Sequence, residues 1–234
     1  MSTLSVIIPC YNESRRLQPL LALIDGNAPL GWEWVFVDDG SSDGTGDKLK
    51  AFAERTAAGV SVLRHDRNRG KGAAVRTGML AASGQCAAFV DADLAASPLD
   101  FAPLLEEPDL LEGRVMYIGT RRSDRCQRRL LRALAGRAYR LFACLITGLR
   151  VGDTQCAFKI LATQQAKEIF GQMRSEGYAF DAELMMLATR RIGMEIREIP
   201  IDWEEQPGSR IRPWHVWHMA REVLAMRRNN PKCE

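Results

Sequence analysis

Four apolar, β-branched runs in the N-terminal half each stop at a polar loop, and each loop leads into a helical stretch. Leu4-Ser5-Val6-Ile7-Ile8-Pro9 gives way to Cys10-Tyr11-Asn12-Glu13. Val35-Phe36-Val37 runs into Asp38-Asp39-Gly40-Ser41-Ser42-Asp43-Gly44-Thr45, and Val60-Ser61-Val62-Leu63 precedes Asn68-Arg69-Gly70-Lys71-Gly72. Gln85 to Val90 ends in Asp91-Ala92-Asp93. Leu recurs at helical spacing from Ser14 to Ile24; further helices are expected through Glu54, capped by Thr45 or Ser42, and from Ala73 to Ala82. This alternation predicts an α/β domain with a mostly parallel central sheet and helices on both faces. In such a sheet, ligands bind beyond the carboxyl ends of the strands, so the polar loops converge on one rim.

Two of those loops carry paired acids. Asp91 and Asp93 suit a hard divalent cation that also touches phosphate oxygens, since Mg²⁺ uses one or two carboxylates plus substrate phosphates. On spacing alone they equally suit a helix cap beside a solvated turn residue. Gly70-Lys71-Gly72, opening a helix, suits a phosphate held by backbone N–H groups and the Lys charge, or a plain glycine turn. Neither G-x-G-x-x-G after the first strand nor G-x-x-x-x-G-K-[ST] occurs, which excludes a dinucleotide-binding fingerprint and a P-loop.

The formal charge of +3 is too small to imply a nucleic-acid partner. Its distribution says more: from Arg114 to Arg150 there are ten Arg and a single acid, Asp124. Cys126 to Leu149 reads as a long helix, with Arg125, Arg128, Arg129, Arg132 and Arg140 on one aspect and Leu130, Leu131, Leu134, Leu141 and Phe142 on the other. Such a helix suits an anionic membrane surface or a lipid phosphate, and also a solvated basic face. The apolar run Leu141–Leu149 is too short to span a bilayer. Six scattered Cys without a C-x-x-C pair point to reduced thiols in a cytosolic protein. A strand beginning at Leu4 leads us to expect no signal peptide. His65, His215 and His218 form no metal triad and are taken as structural.

Together, Val6–Glu13, Val37–Thr45, Asn68–Gly72 and Asp91–Asp93 resemble, in order and spacing, the motifs of an inverting family 2 glycosyltransferase with a type A nucleotide-sugar fold. Asp153-Thr154-Gln155-Cys156-Ala157-Phe158-Lys159, Phe180-Asp181-Ala182-Glu183-Leu184, Ile199-Pro200-Ile201-Asp202-Trp203 and Gly208-Ser209-Arg210 are similar to the polyprenyl-phosphate branch, and within it to dolichyl-phosphate β-glucosyltransferases. The chain reads as one glycosyltransferase domain over 1–212, followed by an amphipathic helix and short tail over 213–234.

The resemblance implies roles. Pro9, Tyr11 and Glu13 line a base and ribose pocket; Asp39 faces the base, with Asp38 or Gly40 close by. Lys71 lies at the donor phosphates. Asp93 binds Mg²⁺ or Mn²⁺, and Asp91 binds sugar or ribose hydroxyls or shares the ion. Where many relatives place Gln shortly after the second Asp, this chain has Ala95 and Ala96. Arg121 and Arg128 meet the phosphate of donor or acceptor, and Ser209 and Arg210 belong to a loop that closes over the nucleotide or acceptor phosphate. Asp181 or Asp153 orients the attacking phosphate or the sugar. Asp181 and Glu183, two residues apart, point to different faces of their helix, which is expected to run to about Ile192. The implied partners are a nucleotide sugar (UDP-glucose, with GDP-mannose the alternative), a polyprenyl-phosphate lipid and the cytoplasmic membrane face. A soluble saccharide acceptor, and an inactive nucleotide-binding peripheral membrane protein, are the competing readings.

Overall fold

The computed structural model describes residues 2–27, 31–121, 151, 152, 154 and 156–204. Arg128, Asp153, Ser209, Arg210, the Cys126–Leu149 stretch and residues 213–234 lie outside the described residues. The strands are β1 (Leu4–Cys10), β2 (Glu33–Asp38), β3 (Gly59–Arg64), β4 (Cys86–Phe89), β5 (Val115–Arg121), β6 (Lys159–Ala162) and β7 (Glu195–Ile201). The helices are α1 (Leu17–Gly26), α2 (Thr45–Arg55), α3 (Lys71–Ala81), α4 (Pro108–Leu111), α5 (Thr163–Gln172) and α6 (Phe180–Leu187). A 3₁₀ stretch, Pro98–Glu106, follows β4, and a π-type turn, Ala188–Ile192, extends α6.

The strands form one sheet in the order β3-β2-β1-β4-β6-β5-β7. β1 pairs in parallel with β2 and β4, and β2 with β3. β6 is antiparallel to β4 and β5, and β5 is parallel to β7. The chain works outward from β1 to β3, then returns to lay β4 on the other side of β1. That reversal opens a crevice beyond the carboxyl ends of β1 and β4, where an α/β sheet takes its ligand.

Strand periodicity divides the core. Val6, Ile8, Trp34, Phe36, Ala88 and Ile160 face α1, α2 and the 3₁₀ stretch, where Leu20, Ile24, Leu49, Phe52 and Phe101 meet them. Ile7, Val35, Val37, Ala87, Phe89 and Leu161 face α3, α5 and α6, meeting Val75, Met79, Ile169, Phe170, Phe180 and Leu184. Burying each large apolar side chain contributes about 1.5–3 kcal/mol, so both faces of the rim are held by thick apolar layers. Cys10, Cys86 and Cys156 are buried within them.

Hydrogen bonds tie the loops of the first two strands together. The Asn12 amide donates to Ser41 Oγ at 2.9 Å, and the Ser42 amide to Asn12 Oδ1 at 2.9 Å. The Glu13 amide donates to Thr45 Oγ1 at 2.8 Å, and the Ser14 amide to Asp43 Oδ2 at 3.1 Å. These bonds keep α1 from starting at Ser14; it begins at Leu17. They also overturn the expected cap. Neither Ser42 nor Thr45 caps α2: Gly44, at φ 85°, precedes it with no side-chain cap bond, and Thr45 is already its first residue.

The Gly70-Lys71-Gly72 loop packs equally tightly, against the turn between α5 and α6. A Cβ on Gly70 would collide with the Glu176 carbonyl. One on Gly72 would lie 2.7 Å from Ser175 O and from Phe180 Cβ, and 2.9 Å from Gly177 O. The Ala73 amide donates to Glu176 O at 3.1 Å, and Arg69 pairs with Glu176 at 2.5 Å. These glycines therefore allow a close approach of two backbones, and the turn, not an anion, takes the Ala73 amide.

Three variants test this packing. Burial acts upward on the Asp43 carboxyl, but bonds from Thr45 and Ser14 together hold it at about 2. That lies below the unfolded value, so its stabilisation is present above pH ~4 and lost as pH falls toward ~2. The side chain is exposed, so screening limits the effect to roughly 1 kcal/mol. Urea unfolding of wild type and Asp43→Asn should differ by about that amount at pH 6 and converge as pH falls from ~4 toward ~2. In the same assay at pH 7, Gly72→Ala should lose about 1–3 kcal/mol by overpacking. Gly171→Ala, with nothing within 4 Å of the added carbon, should gain up to about 1 kcal/mol.

Candidate active site

At the rim, the residues expected to line a base and ribose pocket fall into two groups. Pro9 is half-buried in β1, and Tyr11 stands on the surface just beyond it, 39% exposed. Glu13 is held by both of its oxygens: Arg16 Nε and Nη2 each donate to it at 2.8 Å. These three share one side of the crevice. Asp38 and Asp39 are buried and held by partners of their own. Asp38 is wholly buried, accepts the Ser41 amide at 3.0 Å and faces Arg64 at 3.3 Å. Asp39, 3% exposed, accepts the Arg69 amide at 2.9 Å and the Gly70 amide at 2.8 Å, and lies 2.7 Å from His65 Nδ1. His65 continues to Thr77 Oγ1 at 2.9 Å, as a structural histidine. In the structure the Asp39 carboxylate binds the loop before α3. Gly40 is likewise a packing residue, at φ 69° and directly against the Arg67 backbone.

The charged heart of the site lies beyond β4. Lys71, at the first position of α3, reaches Asp91 Oδ1 at 2.5 Å. The turn tightens at Leu94, a non-glycine residue at φ 58°, and the Ala95 amide donates to Asp93 Oδ1 at 3.1 Å. Burial raises the Asp93 carboxyl above its ordinary range, and the like charge of Asp91 adds to this. Desolvation opposes the charge on Lys71, yet Asp91 and Asp181 outweigh it and lift the ammonium above its usual value. Asp181, at the start of α6, is almost fully buried. Burial raises its carboxyl too, against the pull of Lys159 and Lys71.

Asp181 is anchored from behind. Lys159 of β6 is fully buried, and its ammonium donates to Asp181 Oδ1 at 2.6 Å, to Cys156 O at 2.6 Å and to Thr154 O at 3.3 Å. Glu183 points elsewhere, as its spacing from Asp181 required. It accepts the Ser175 amide at 2.7 Å and the Arg174 amide at 3.2 Å, holding the turn on which Gly70 and Gly72 rest. Arg121, at the end of β5, stacks over Trp203 at 5.0 Å on the same rim.

Lys159 closes the Asp153–Lys159 motif, whose spacing alone marks no task for it. The signal was there: a lysine inside the apolar run Phe158–Ala162 must find acceptors when its strand is central. Glu183 as a loop anchor left no such mark, because its partners are backbone amides.

Asp91 and Asp93 fit a divalent cation. They are hard oxygen donors in one turn, and their mutual repulsion is what a cation would relieve. Among the described residues no group of three or more His, Cys, Asp or Glu could hold a metal. The Ala95 and Ala96 side chains are buried, so neither adds a donor. Among the described residues, protein ligation is thus limited to the pair, with ligand oxygens and water for the rest.

The family model for Glycosyl transferase family 2 matches residues 5–148. Dolichyl-phosphate beta-glucosyltransferase of Saccharomyces cerevisiae is 32% identical over 270 residues, spanning 98% of this chain and 78% of that protein. The Drosophila melanogaster protein of the same name is 33% identical over 240 residues, spanning 94% and 73%. The crystal structure of glucosyl-3-phosphoglycerate synthase from Mycobacterium tuberculosis, in complex with Mn²⁺, uridine diphosphate and phosphoglyceric acid, superposes with a TM-score of 0.68. Its identity is 22%, over 100% of this chain and 80% of that one, a likeness of fold. With the acid pair set at the switch point of a type A sheet and the family match running over most of that sheet, the chain belongs to glycosyl transferase family 2 and is a glycosyltransferase.

Proposed function

We propose that this enzyme transfers glucose from UDP-glucose to a polyprenyl phosphate, with inversion at C1 and with a divalent cation held by Asp91 and Asp93. The observation that carries this is the meeting of Asp91, Asp93, Lys71 and Asp181 at the switch point. The extended similarity to dolichyl-phosphate beta-glucosyltransferases supports the sugar and the acceptor class.

Pro9, Tyr11 and Glu13 take the nucleoside, and Lys71 lends positive charge beside the diphosphate. The cation would be Mg²⁺ or Mn²⁺, and its part is to offset charge on the departing diphosphate. The acceptor phosphate oxygen attacks C1 from the face opposite UDP. The C1–O bond to UDP breaks as the new bond forms, so an α-linked donor gives a β-linked product. A phosphate acceptor, with a second pKa of about 6, is already ionised near neutral pH. Asp181 therefore has to orient, not to deprotonate; positioning and electrostatics supply most of the rate.

Arg121 opens the Arg-rich stretch and faces the acceptor phosphate in this reading. The enzyme works peripherally on the cytoplasmic face of an anionic membrane, drawn by that stretch. Among the described residues no helix is long and apolar enough to cross a membrane. A soluble phosphorylated acceptor is the second reading, favoured by the phosphoglyceric acid bound to the mycobacterial enzyme.

Calorimetry with UDP-glucose, GDP-mannose and UDP-N-acetylglucosamine tests the donor. UDP-glucose with Mn²⁺ should bind best, and EDTA or Asp93→Asn should weaken it at least about tenfold, or ~1.4 kcal/mol. No heat from any donor overturns the proposal. Radiolabelled glucose recovered in the organic phase with a polyprenyl phosphate supports the lipid acceptor; label passed only to 3-phosphoglycerate selects the soluble one.

A further inference from the structure

Lys159 is unusual for the price of its burial. It sits in β6, opposite Phe89 of β4 and Ile118 of β5, and is 0% exposed. A lysine ammonium has three N–H donors, and here each has an acceptor: Asp181 Oδ1, Cys156 O and Thr154 O. The Phe89 ring lies 5.3 Å from the nitrogen, and Phe180 packs on Phe89 at 5.5 Å. A buried ion pair is seldom the most stabilising choice; apolar side chains of similar volume often serve a core as well or better. What the pair supplies is geometry. One cation joins a carboxylate from α6 to two carbonyls of the segment entering β6.

We infer that Lys159 is a positioning residue that locks Asp181 and the Thr154 and Cys156 carbonyls together, so that the carboxylate is presented to the transferred sugar in a single arrangement. This rests on the proposed transfer reaction for its kinetic consequence, but not for its structural one. The nucleoside side of the crevice, with Pro9, Tyr11 and Glu13, is built on other loops and does not depend on Lys159. Loss of the lysine should therefore spare donor binding and strike turnover.

The variants are Lys159→Met, Asp181→Asn and the double variant, made in the full chain. Donor binding is read by calorimetry with UDP-glucose and Mn²⁺. Transfer is read as kcat and KM with the acceptor that wild type uses. Amide hydrogen exchange between Cys156 and Ile160 is read without any substrate. Lys159→Met should hold the UDP-glucose Kd within about twofold while kcat falls at least tenfold, a difference of ~1.4 kcal/mol. Exchange across Cys156–Ile160 should accelerate at least tenfold. Adding Asp181→Asn to Lys159→Met should cost less than twofold more, because the two act as one unit. Wild-type kcat with unchanged exchange overturns the inference, as do losses that multiply in the double variant. If Lys159→Met does not fold, its lone buried carboxylate is the cause, and the double variant should fold. A folded double variant that matches the kcat of Asp181→Asn supports the inference; one at least tenfold slower overturns it. If wild type transfers to no acceptor, the proposed reaction fails, while the exchange result alone still decides whether Lys159 locks the segment.

Discussion

Negative charge gathered at the carboxyl end of β4 is the constraint that the rest of the site must satisfy. Asp91 and Asp93 leave one turn, and Asp181 approaches from α6; burial and mutual repulsion push the Asp93 and Asp181 carboxyls upward. Two lysines answer this charge from opposite directions. Lys71 comes from the crevice side at 2.5 Å from Asp91, and Lys159 from inside the sheet at 2.6 Å from Asp181. The first is partly open to solvent, where an ion pair rearranges at small cost. The second is sealed, where removing one partner strands a charge. A ligand's phosphates and a cation can thus remodel the Lys71 side while the Asp181 side stays fixed.

That division depends on β6. A wholly parallel sheet would present the carboxyl ends of its strands, and hence loops, all along the rim. By running antiparallel between β4 and β5, β6 brings its first residue, Lys159, to the level of Phe89, two residues before Asp91. The amino end of α6 then meets it through the Phe89–Phe180 contact. The turn between α5 and α6 completes the frame. Glu183 holds its amides, and Gly70 and Gly72 allow it to lie on the loop that carries Lys71. One turn therefore ties the loop that carries Lys71 to the start of α6.

Several side chains that look chemical in the sequence have mechanical tasks. Asp39, Ser41, Asp43 and Thr45 sit in a loop rich in oxygen donors and acceptors, and composition alone suits a ligand contact. Their partners are backbone amides of Asn12, Glu13, Ser14, Arg69 and Gly70. A loop with many exposed amides needs acceptors whether or not it binds anything. Residue type does not separate these duties; only the position of the nearest donor does.

The strands, the helices and the rim on which they converge were legible in the sequence, because apolar periodicity is local and each polar loop follows its strand. The acid pair stands out there too, but Asp38 and Asp39, also at a buried strand end, show that residue type alone leaves such a pair's task open. The partners of Asp38 and Asp39, the reversed direction of β6 and the sealed contact of Lys159 with Asp181 were decided by tertiary structure. Each joins segments far apart in the chain, 22 residues for Lys159 and Asp181 and 31 for Asp39 and Gly70. Local pattern states which groups must be satisfied; only the folded chain decides which distant partner satisfies them.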